Sequence, residues 1–162
     1  IKIFYKKYRK IVIKPIHGYA GKGILFLNNT FKKKEILKLL HNNGHAMVQK
    51  FLPNVKKGDK RVFIINGKVC GAIRRIPSKN SILSNISQGG TAVKTTLNSK
   101  QNKISSIIAK DLLKNKIYFA GIDFVSNYLI GDINVTSPTG LPQYKELTGI
   151  NLGETFWNSL EN

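Results

Sequence analysis

Two carboxylates lie inside an otherwise apolar stretch near the end of the chain, residues 121–139 (GIDFVSNYLIGDINVTSPT). Runs of Ile, Phe, Val and Leu on either side of Ser126-Asn127 predict two paired strands joined by a turn. Alternate residues of a strand share a face, so Asp132 and Asn134 point the same way, and an even-length turn brings Asp123 onto that face. We therefore expect a hairpin with an acidic face.

The acidic face of this hairpin allows two interpretations. Like charges that face each other across paired strands repel, but a cation between them removes the repulsion. Two carboxylates and an amide form an all-oxygen ligand set, which suits Mg²⁺ or Mn²⁺ rather than Zn²⁺. Solvated acids on an exposed surface explain the same pattern, so both interpretations stay open at this point.

The composition bounds the class of protein. With 162 residues, 41% of them hydrophobic, the chain can fold into one domain or two small lobes. No apolar run approaches the roughly 20 residues of a membrane span, and no secretory signal is visible, so we expect a cytoplasmic protein. Cys70 is the only cysteine, which excludes an intrachain disulfide. Position 1 is Ile rather than Met, so we expect a piece of a longer protein.

The net charge of +19 would ordinarily indicate a nucleic-acid partner. However, only four of the 27 basic residues are Arg. The others are Lys, mixed with abundant Asn and Ile, as an A·T-rich genome would encode on any solvated surface. Arg is the residue that reads guanine edges and binds phosphates through two N–H groups. We therefore disfavour nucleic-acid binding as the main function, and expect no membrane partner.

The first 52 residues predict a small α+β lobe. The periodicity indicates the end of a helix at 1–10, strands at 11–14, 23–27 and 46–51, and a helix at 31–43 with Thr30 as its cap and Gly44 as its stop. Pro53 then marks a hinge. Backbone groups at a hinge between lobes commonly hold a planar base.

A glycine-containing segment, PIHGYAGK, joins the first two strands. Gly18, Gly21 and Gly23 would let the backbone approach a ligand closely, and consecutive amides in such a loop can bind an anion. Lys14 could reach the same phosphate. A simple turn explains the segment equally well, because it matches neither the P-loop nor the dinucleotide-binding pattern.

The rest of the chain predicts a larger α+β lobe. The pattern indicates strands at 61–65 and 68–75 around Asn66-Gly67, an aperiodic segment at 78–90, a helix at 104–114, the acidic hairpin and a helix at 153–160. Asp59 is expected in a polar turn. The aperiodic segment suits either a lid or simple disorder. No Ser/His/Asp or Cys/His nucleophile is visible.

Taken in order, several motifs resemble the C-terminal ATP-grasp region of the prokaryotic type of glutathione synthetase: IVIKP with its glycine loop, VQKFLP, KGDKRV, RRIP, GIDFV and DINVTSPTG. The resemblance covers nearly the whole chain. It implies an α+β ATP-grasp fold, in which a small lobe (1–52) and a large lobe (53–162) with antiparallel sheets clasp a nucleotide. The large lobe would carry the lid at 76–92 and the metal-binding hairpin at 118–136.

The same resemblance implies an ATP-dependent carboxylate–amine ligase. Its substrates would be γ-glutamylcysteine and glycine, joined through an acyl phosphate to give glutathione, ADP and phosphate, with Mg²⁺ or Mn²⁺ as the metal. The full-length parent would be a homo-oligomer. The alternatives are a ligase with another acceptor amine, a decayed ATP-binding module without turnover, and a basic nucleic-acid-binding domain.

Site residues follow from the resemblance position by position. ATP would be bound by Lys14, Gly18, Gly21, Gly23, Gln49, Lys50, Phe51, Leu52 and Asp59, with Asp59 on the ribose. The catalytic residues would be Arg61, Arg75 and Asn85. The metal ligands would be Asp123, Asp132 and Asn134, and the peptide substrate would border Ser137, Pro138 and Thr139.

Three departures from the family pattern stand out. Asp132 replaces a Glu, so its carboxylate is one methylene shorter. Leu83 stands where the lid of the family carries an Arg, and loss of one such donor typically lowers the rate by ~10²- to 10³-fold. The domain that precedes the ATP-grasp region in the family does not match any part of these 162 residues.

Overall fold

The computed structural model describes residues 1–17, 22–78 and 89–161. The chain divides into two units, Ile1–Pro53 and Asn54–Asn162. Each unit combines helices with an antiparallel sheet, which confirms the predicted α+β class. Within these ranges, no helix is both long and apolar enough to cross a membrane.

The first unit packs a three-stranded sheet against helices. Its elements are α1 (Lys2–Tyr8), β1 (Ile11–Pro15), β2 (Leu25–Leu27), α2 (Lys33–Asn43) and β3 (Ala46–Lys50). The strands are antiparallel in the order β2-β1-β3. Ile11 and Ile13 of β1 alternate onto the helical side, where they are fully buried in a core with Leu27, Ile36 and Leu39.

Helix α2 has a different start from the predicted one. Thr30 is not its cap: the N-cap residue is Lys32, and no side chain caps the helix. Asn29 has a φ of 62°, and the Thr30 amide donates to the Asn28 carbonyl at 2.7 Å, so Thr30 belongs to a tight turn instead. The predicted stop is confirmed, because Gly44 ends the helix with a φ of 70°.

The second unit is built on a five-stranded antiparallel sheet of order β6-β5-β4-β7-β8. Its strands are β4 (Asp59–Ile65), β5 (Lys68–Ile76), β6 (Thr91–Lys94), β7 (Phe119–Phe124) and β8 (Ile130–Asn134). Its α-helices are α3 (Ser99–Lys114), α4 (Leu141–Thr148) and α5 (Leu152–Asn158). Strand β6 and helix α4 are absent from the sequence prediction.

The turn between β4 and β5 is the predicted Asn66-Gly67 hairpin. Both residues have positive φ, 44° and 72°, as the two central positions of a type I′ turn require. The turn matches the right-handed twist of the strands it joins. It sets the pairing of Ile65 with Lys68, and a β-bulge between Phe63 and Ile64 then shifts the register by one residue, which places Asp59 opposite Arg75.

Helix α3 begins five residues before the predicted start. Asn98 and Gln101 form a capping box, in which the Gln101 amide donates to Asn98 Oδ1 at 2.8 Å and the Asn98 amide donates to Gln101 Oε1 at 3.2 Å. Gln101 is buried, and its Nε2 donates to the Ser126 carbonyl at 3.2 Å. The helix start is thus tied to the loop between β7 and β8.

The two faces of the five-stranded sheet have different surroundings. One face packs on α3 and forms an apolar core that contains Val62, Ile64, Ala72, Ala109, Ala120, Ile122 and Phe124. The opposite face packs on α4 and α5 at one end, where Phe63, Ile65, Ile73, Tyr144 and Leu152 are buried. The candidate site lies on that opposite face, towards the other end of the strands.

Candidate active site

Four charged residues share the second face with the apolar cluster. Asp59, Arg61 and Phe63 alternate along β4, so their side chains lie on one side of the sheet. The register places Arg75 of β5 opposite Asp59, and Asp123 of β7 opposite Arg61. All four charged side chains therefore meet across three adjacent strands.

These four residues, which we call the tetrad, are buried. The exposed fractions are 8% for Asp59, 4% for Arg61, 2% for Arg75 and 7% for Asp123. Charged residues are almost never buried to this extent unless they are paired. The tetrad contains two positive and two negative charges and is formally neutral.

Arg61 holds Asp123 through two nitrogens. Its Nε donates to Asp123 Oδ1 at 2.5 Å, and its Nη2 donates to Oδ2 at 2.9 Å. Its Nη1 donates to the carbonyl of Thr139 at 3.1 Å. The guanidinium is therefore fixed at three points, and it also anchors the segment that leads into α4.

Arg75 lies between the two carboxylates of the tetrad. Its Nε and Nη2 donate to the two oxygens of Asp59 at 2.7 and 2.8 Å. Its Nη2 also lies 2.7 Å from Asp123 Oδ2. The expectation that Asp59 sits in a polar turn is wrong, because Asp59 is the buried first residue of β4 and pairs with Arg75.

The tetrad shifts the ionisation of its members. Burial alone would raise the pKa of the Asp123 carboxyl, but the hydrogen bonds and charge of Arg61, then those of Arg75, outweigh burial and lower it. Burial alone would lower the pKa of the Arg75 guanidinium, but Asp123 and Asp59 outweigh burial and raise it. The hydrogen bonds and opposite charges within the tetrad therefore keep both groups in their charged forms.

Gly121 makes room for the tetrad. A Cβ at this position would lie 2.8 Å from Cδ of Arg61 and 3.0 Å from Cβ of Pro138. Arg61 and Pro138 therefore pack where a side chain would otherwise stand. Sequence reasoning did not assign Gly121 to the site, although a glycine inside an apolar strand was a visible signal.

The acidic face of the hairpin forms as predicted. Asp123 lies opposite Asp132, and Gly121 lies opposite Asn134. The expected even-length turn is wrong, because the Val125 amide donates to the Leu129 carbonyl at 2.9 Å around a three-residue loop. A register shift between Asp123 and Phe124 compensates and places the two carboxylates opposite each other. The guanidinium groups of Arg61 and Arg75 supply positive charge beside Asp123, whereas Asp132 is exposed.

The side-chain oxygens of the hairpin are the kind of ligand that a hard divalent cation prefers. Asp132 Oδ1 accepts from the Ile133 amide at 3.1 Å, and Asn134 Oδ1 accepts from the amides of Thr136 and Ser137 at 3.2 and 3.0 Å. Within the described ranges, no three His, Cys, Asp or Glu side chains could hold a metal ion. The expected set has two carboxylates and one amide, all with oxygen donors on one face.

The three predicted substrate-bordering residues differ in exposure. Ser137 and Thr139 are exposed, whereas Pro138 is buried beside Gly121. Arg61 ties the Thr139 backbone to the tetrad. The segment 137–139 is therefore adjacent to Arg61 and Asp123.

Two of the predicted nucleotide-binding residues of the first unit, Lys14 and Gln49, lie on the same face of its sheet, whereas Lys50 does not. Lys14 pairs with Met47, and Val12 pairs with Gln49, so Lys14 and Gln49 lie on the face opposite the helices. Lys50 has the opposite parity, and its Nζ lies over the Tyr8 ring at 5.7 Å.

Strand β3 is an edge strand in the described unit. The Phe51 amide donates to the Lys10 carbonyl at 3.0 Å, and hydrogen-bonding directions alternate along an antiparallel strand. The peptide group of Lys50, the last residue of β3, consequently points away from β1. The Phe51 ring packs on Phe26, with centroids 4.5 Å apart.

Several predicted positions carry no structural description. Gly18, Gly21 and Asn85, like Leu83 of the expected lid, lie outside the described residues. Gly23 is described and has a φ of 73°, with Cγ of Pro15 3.1 Å from the place of a Cβ. Cys70 is half-buried, and burial raises the pKa of its thiol, so a thiolate nucleophile is disfavoured there.

Comparison with known proteins agrees with this geometry. Residues 1–149 match the family described as "Prokaryotic glutathione synthetase, ATP-grasp domain". The chain belongs to this family. The glutathione synthetase of Synechocystis sp. is 38% identical over 157 residues, a match that covers 95% of this chain and 49% of the relative.

This member of the glutathione synthetase ATP-grasp family spans about half the length of the curated relatives it matches. D-cycloserine synthetase DcsG matches 85% of the chain with a TM-score of 0.66 at 15% identity, over 52% of its own length. The ATP-grasp ligase PsnB matches 98% with a TM-score of 0.60 at 14% identity, over 48% of its length. These likenesses confirm the predicted ATP-grasp fold.

Proposed function

We propose that the chain is the ATP-binding region of a glutathione synthetase, whose full-length parent joins γ-glutamylcysteine to glycine and converts ATP to ADP and phosphate. The family membership supports this reaction class. The observation that carries the proposal is the buried tetrad beside the exposed Asp132, because two fixed guanidinium groups next to a cation-binding face suit the handling of phosphate.

Arg61 and Arg75 would stabilise the transferred phosphoryl group. Phosphoryl transfer leaves little covalent work to the protein, so catalysis depends on positioned positive charge. Both guanidinium groups are buried and held by carboxylates, Arg61 by Asp123 and Arg75 by Asp59 and Asp123. Their orientation is set before a ligand arrives, which reduces the reorganisation needed in the reaction.

The hairpin would hold the metal. Asp132 and Asn134, with Asp123 opposite, provide the oxygen donors on one face. A bound Mg²⁺ or Mn²⁺ would supply neutralisation of phosphate charge. Asp132 is the exposed carboxylate of the set, and it is therefore the donor that a solvated cation would meet first.

The first unit would bind the nucleotide base and phosphates. The outward peptide group of Lys50 offers a donor and an acceptor of the kind that a planar base needs. Lys14 and Gln49 share the face that is not covered by helices. We assign Lys14 to phosphate, with Gly18, Gly21 and Gly23 as the loop beside it, and the segment from Gln49 to Leu52 to the base.

The remaining roles complete the proposal. Ser137, Pro138 and Thr139, with Asn85, would border the peptide substrate. γ-Glutamylcysteine carries a free thiol, which favours a reducing compartment and so a cytoplasmic parent. We also infer that the parent is a homo-oligomer, for which light scattering of the purified parent is the direct check.

The test is ADP release by the full-length parent supplied with γ-glutamylcysteine, glycine, ATP and Mg²⁺. We expect release to need both substrates, and release that is indifferent to glycine would overturn the reaction. Stronger release with another amine from an amino-acid panel would assign a different acceptor.

Two adjacent arginines provide a matched pair for this assay. Arg75→Lys removes the paired N–H groups of a buried guanidinium, and we expect a fall in kcat of ~10²-fold. Arg74 is exposed and lies on the other side of the strand, so Arg74→Lys should leave kcat unchanged. Equal effects of the two substitutions would remove Arg75 from the catalytic set.

A further inference from the structure

Strand β8 has one residue more than the part of β7 with which it pairs. Ile130 lies opposite Phe124, and Asp132 lies opposite Asp123. The two β7 residues are adjacent in sequence, whereas the two β8 residues are separated by Gly131. Gly131 is therefore the additional residue of a β-bulge, directly before the exposed carboxylate of the hairpin. A bulge bends the strand and re-aims the side chains beside it.

The bulge determines which face of the sheet receives the metal ligands. The loop closes with the Val125 amide bonded to the Leu129 carbonyl. A regular ladder counted from that pair would place Asp132 opposite Ile122, which is fully buried in the apolar core on the α3 side. A slip of one residue reverses the face of every side chain that follows. The additional residue therefore returns Asp132, and with it Asn134, to the face of the tetrad.

The close packing of the bulge requires a glycine at position 131. A Cβ there would lie 2.5 Å from Cγ2 of Val125 and 3.7 Å from the carbonyl oxygen of Asp123. Carbon atoms pack at about 3.5–4.0 Å, so a side chain at this position forces Val125 or strand β8 to move. Val125 is two residues from Asp123. The movement would therefore occur beside the paired carboxylates.

We propose that Gly131 is a positioning residue for the metal site, because it absorbs the additional residue of the hairpin as a bulge and so keeps Asp132 opposite Asp123. The inference rests on the proposed function, since it concerns how the same hairpin holds Mg²⁺. Gly131 has no side chain and acts through the register of β8. The site therefore requires the small size of this residue rather than its chemistry.

The first test introduces Gly131→Ala into the full-length parent and measures ATP turnover as a function of Mg²⁺ concentration. We expect the Mg²⁺ concentration at half-maximal turnover to rise by about tenfold or more, as is typical when a group that orients a metal ligand is disturbed. A loss of stability alone would lower the amount of active enzyme without changing this concentration. An unchanged Mg²⁺ dependence would overturn the proposal.

The second test restores the space from the other strand. Val125→Ala removes Cγ2, the atom nearest to a Cβ at position 131, and keeps the Val125 Cβ, which lies at an ordinary contact distance of 3.9 Å. We expect Gly131→Ala combined with Val125→Ala to regain the Mg²⁺ dependence of the unaltered parent. Val125→Ala alone is the control and should leave it unchanged. A double variant no better than Gly131→Ala would contradict the proposal.

Deletion of Gly131 separates register from any other role of this residue. Without Gly131, a regular ladder counted from the same loop still places Ile130 opposite Phe124 and Asp132 opposite Asp123. We therefore expect the deletion to keep the Mg²⁺ dependence of the unaltered parent, even though the smaller change, Gly131→Ala, does not. A deletion as damaging as Gly131→Ala would show that the site needs Gly131 for something other than register.

A structural measurement separates failure of this inference from failure of the proposed function. If the unaltered parent does not turn over ATP, the proposed function fails, and the pairing of the hairpin then decides the role of Gly131. We expect NMR to show a cross-strand contact between the backbone protons of Asp123 and Asp132 in the unaltered chain and in the double variant, but not in Gly131→Ala. Persistence of this contact in Gly131→Ala, or its absence from the unaltered chain, would overturn the proposal. The deletion and the unaltered chain remain decisive if Gly131→Ala does not fold.

Discussion

One face of the five-stranded sheet has two ends that are equally buried and chemically opposite. At one end, Phe63, Ile65 and Ile73 pack against Tyr144 and Leu152 of the last two helices. At the other end, the tetrad of Asp59, Arg61, Arg75 and Asp123 lies on continuations of the same strands. Phe63 and Arg61 are only two residues apart on β4.

The comparison shows that burial alone does not identify what a residue does. Burial of a large apolar side chain stabilises the folded state by ~1.5–3 kcal/mol. Burial of an ion pair removes two charges from water, a cost that their attraction often only balances. The apolar end therefore holds the sheet and helices together, whereas the ionic end needs a functional reason to be retained.

The largest expected effect is at the apolar end. Phe63→Ala should lower the free energy of unfolding by ~3–5 kcal/mol, because a fully buried ring that packs on Tyr144 leaves a cavity. Urea unfolding followed by circular dichroism measures this. Ile107→Ala is the control, since Ile107 is 59% exposed, and it should change stability by less than ~0.5 kcal/mol. Equal losses of unfolding free energy in the two variants would show that the apolar end does not stabilise the fold more than an exposed apolar side chain does.

The second prediction separates the ionic end from the apolar end. Asp123→Leu alone leaves two buried guanidinium groups with one carboxylate and should cost ~3–5 kcal/mol. Arg61→Met combined with Asp123→Leu leaves the neutral Asp59–Arg75 pair, so stability should return close to that of the unaltered chain.

The same double variant should lose ATP binding in calorimetric titration. Stability that returns without binding would mark the ionic end as functional. A double variant as unstable as Asp123→Leu would instead show that Arg61 and Asp123 hold the fold together.

A smaller loss of stability is expected at Gly121, where the missing side chain leaves room for Arg61 of the tetrad. Gly121→Ala places a Cβ 2.8 Å from Cδ of Arg61, so the guanidinium or Pro138 must move. We expect a loss of ~1–3 kcal/mol in urea unfolding and a fall in kcat of the parent. Unchanged kcat together with reduced stability would show that the exact placement of Arg61 is not needed for turnover.

The smallest effect on stability is expected at the exposed carboxylate of the same face. Asp132→Asn should change the free energy of unfolding by less than ~0.5 kcal/mol, because the side chain is exposed. It should nevertheless abolish Mg²⁺-dependent ATP turnover of the parent. Full activity in this variant would refute the metal-ligand assignment, and unfolding would make Asp132 a structural residue.

Local signals in the sequence predict much of this sheet. Asn66-Gly67 predicts its own hairpin, because Asn-Gly is one of the few pairs of residue types that adopt two successive positive φ angles easily. The two-residue period of a strand predicts the acidic face of 121–139, and the pairing of Asp123 with Asp132 confirms that face, although a register shift rather than an even-length turn produces it. Both signals depend on neighbours in sequence.

Features that depend on distant partners are harder to predict. The burial of Asp59 depends on Arg75, a residue 16 positions later on the next strand. Arg61 and Asp123 are 62 positions apart. Composition and periodicity indicate that Asp123 needs a positive partner, but they do not identify the arginines.

The errors in the helices have a different cause. The first turn of α3 is polar, so hydrophobic periodicity begins only at Ile104, whereas the capping box of Asn98 and Gln101 was the available signal. Helix α4 is short, begins with Leu141-Pro142 and is flanked by Gly140 and Gly149. Proline and glycine this close together usually indicate a loop. Thr30 has a capping residue type, but the turn at Asn28-Asn29 comes too early for it to cap α2.

The hydrogen bonds of Gln101 determine which parts of the second unit unfold locally together. Its buried amide accepts from the Asn98 backbone and from Lys60 Nζ at 3.1 Å, and it donates to the Ser126 carbonyl. One side chain thus joins the start of α3, strand β4 and the tip of the acidic hairpin. Breaking any one of these contacts weakens the hold on the other two. The hairpin tip and the first turn of α3 therefore form one cooperative unit of local unfolding, and their backbone amides should exchange with solvent together.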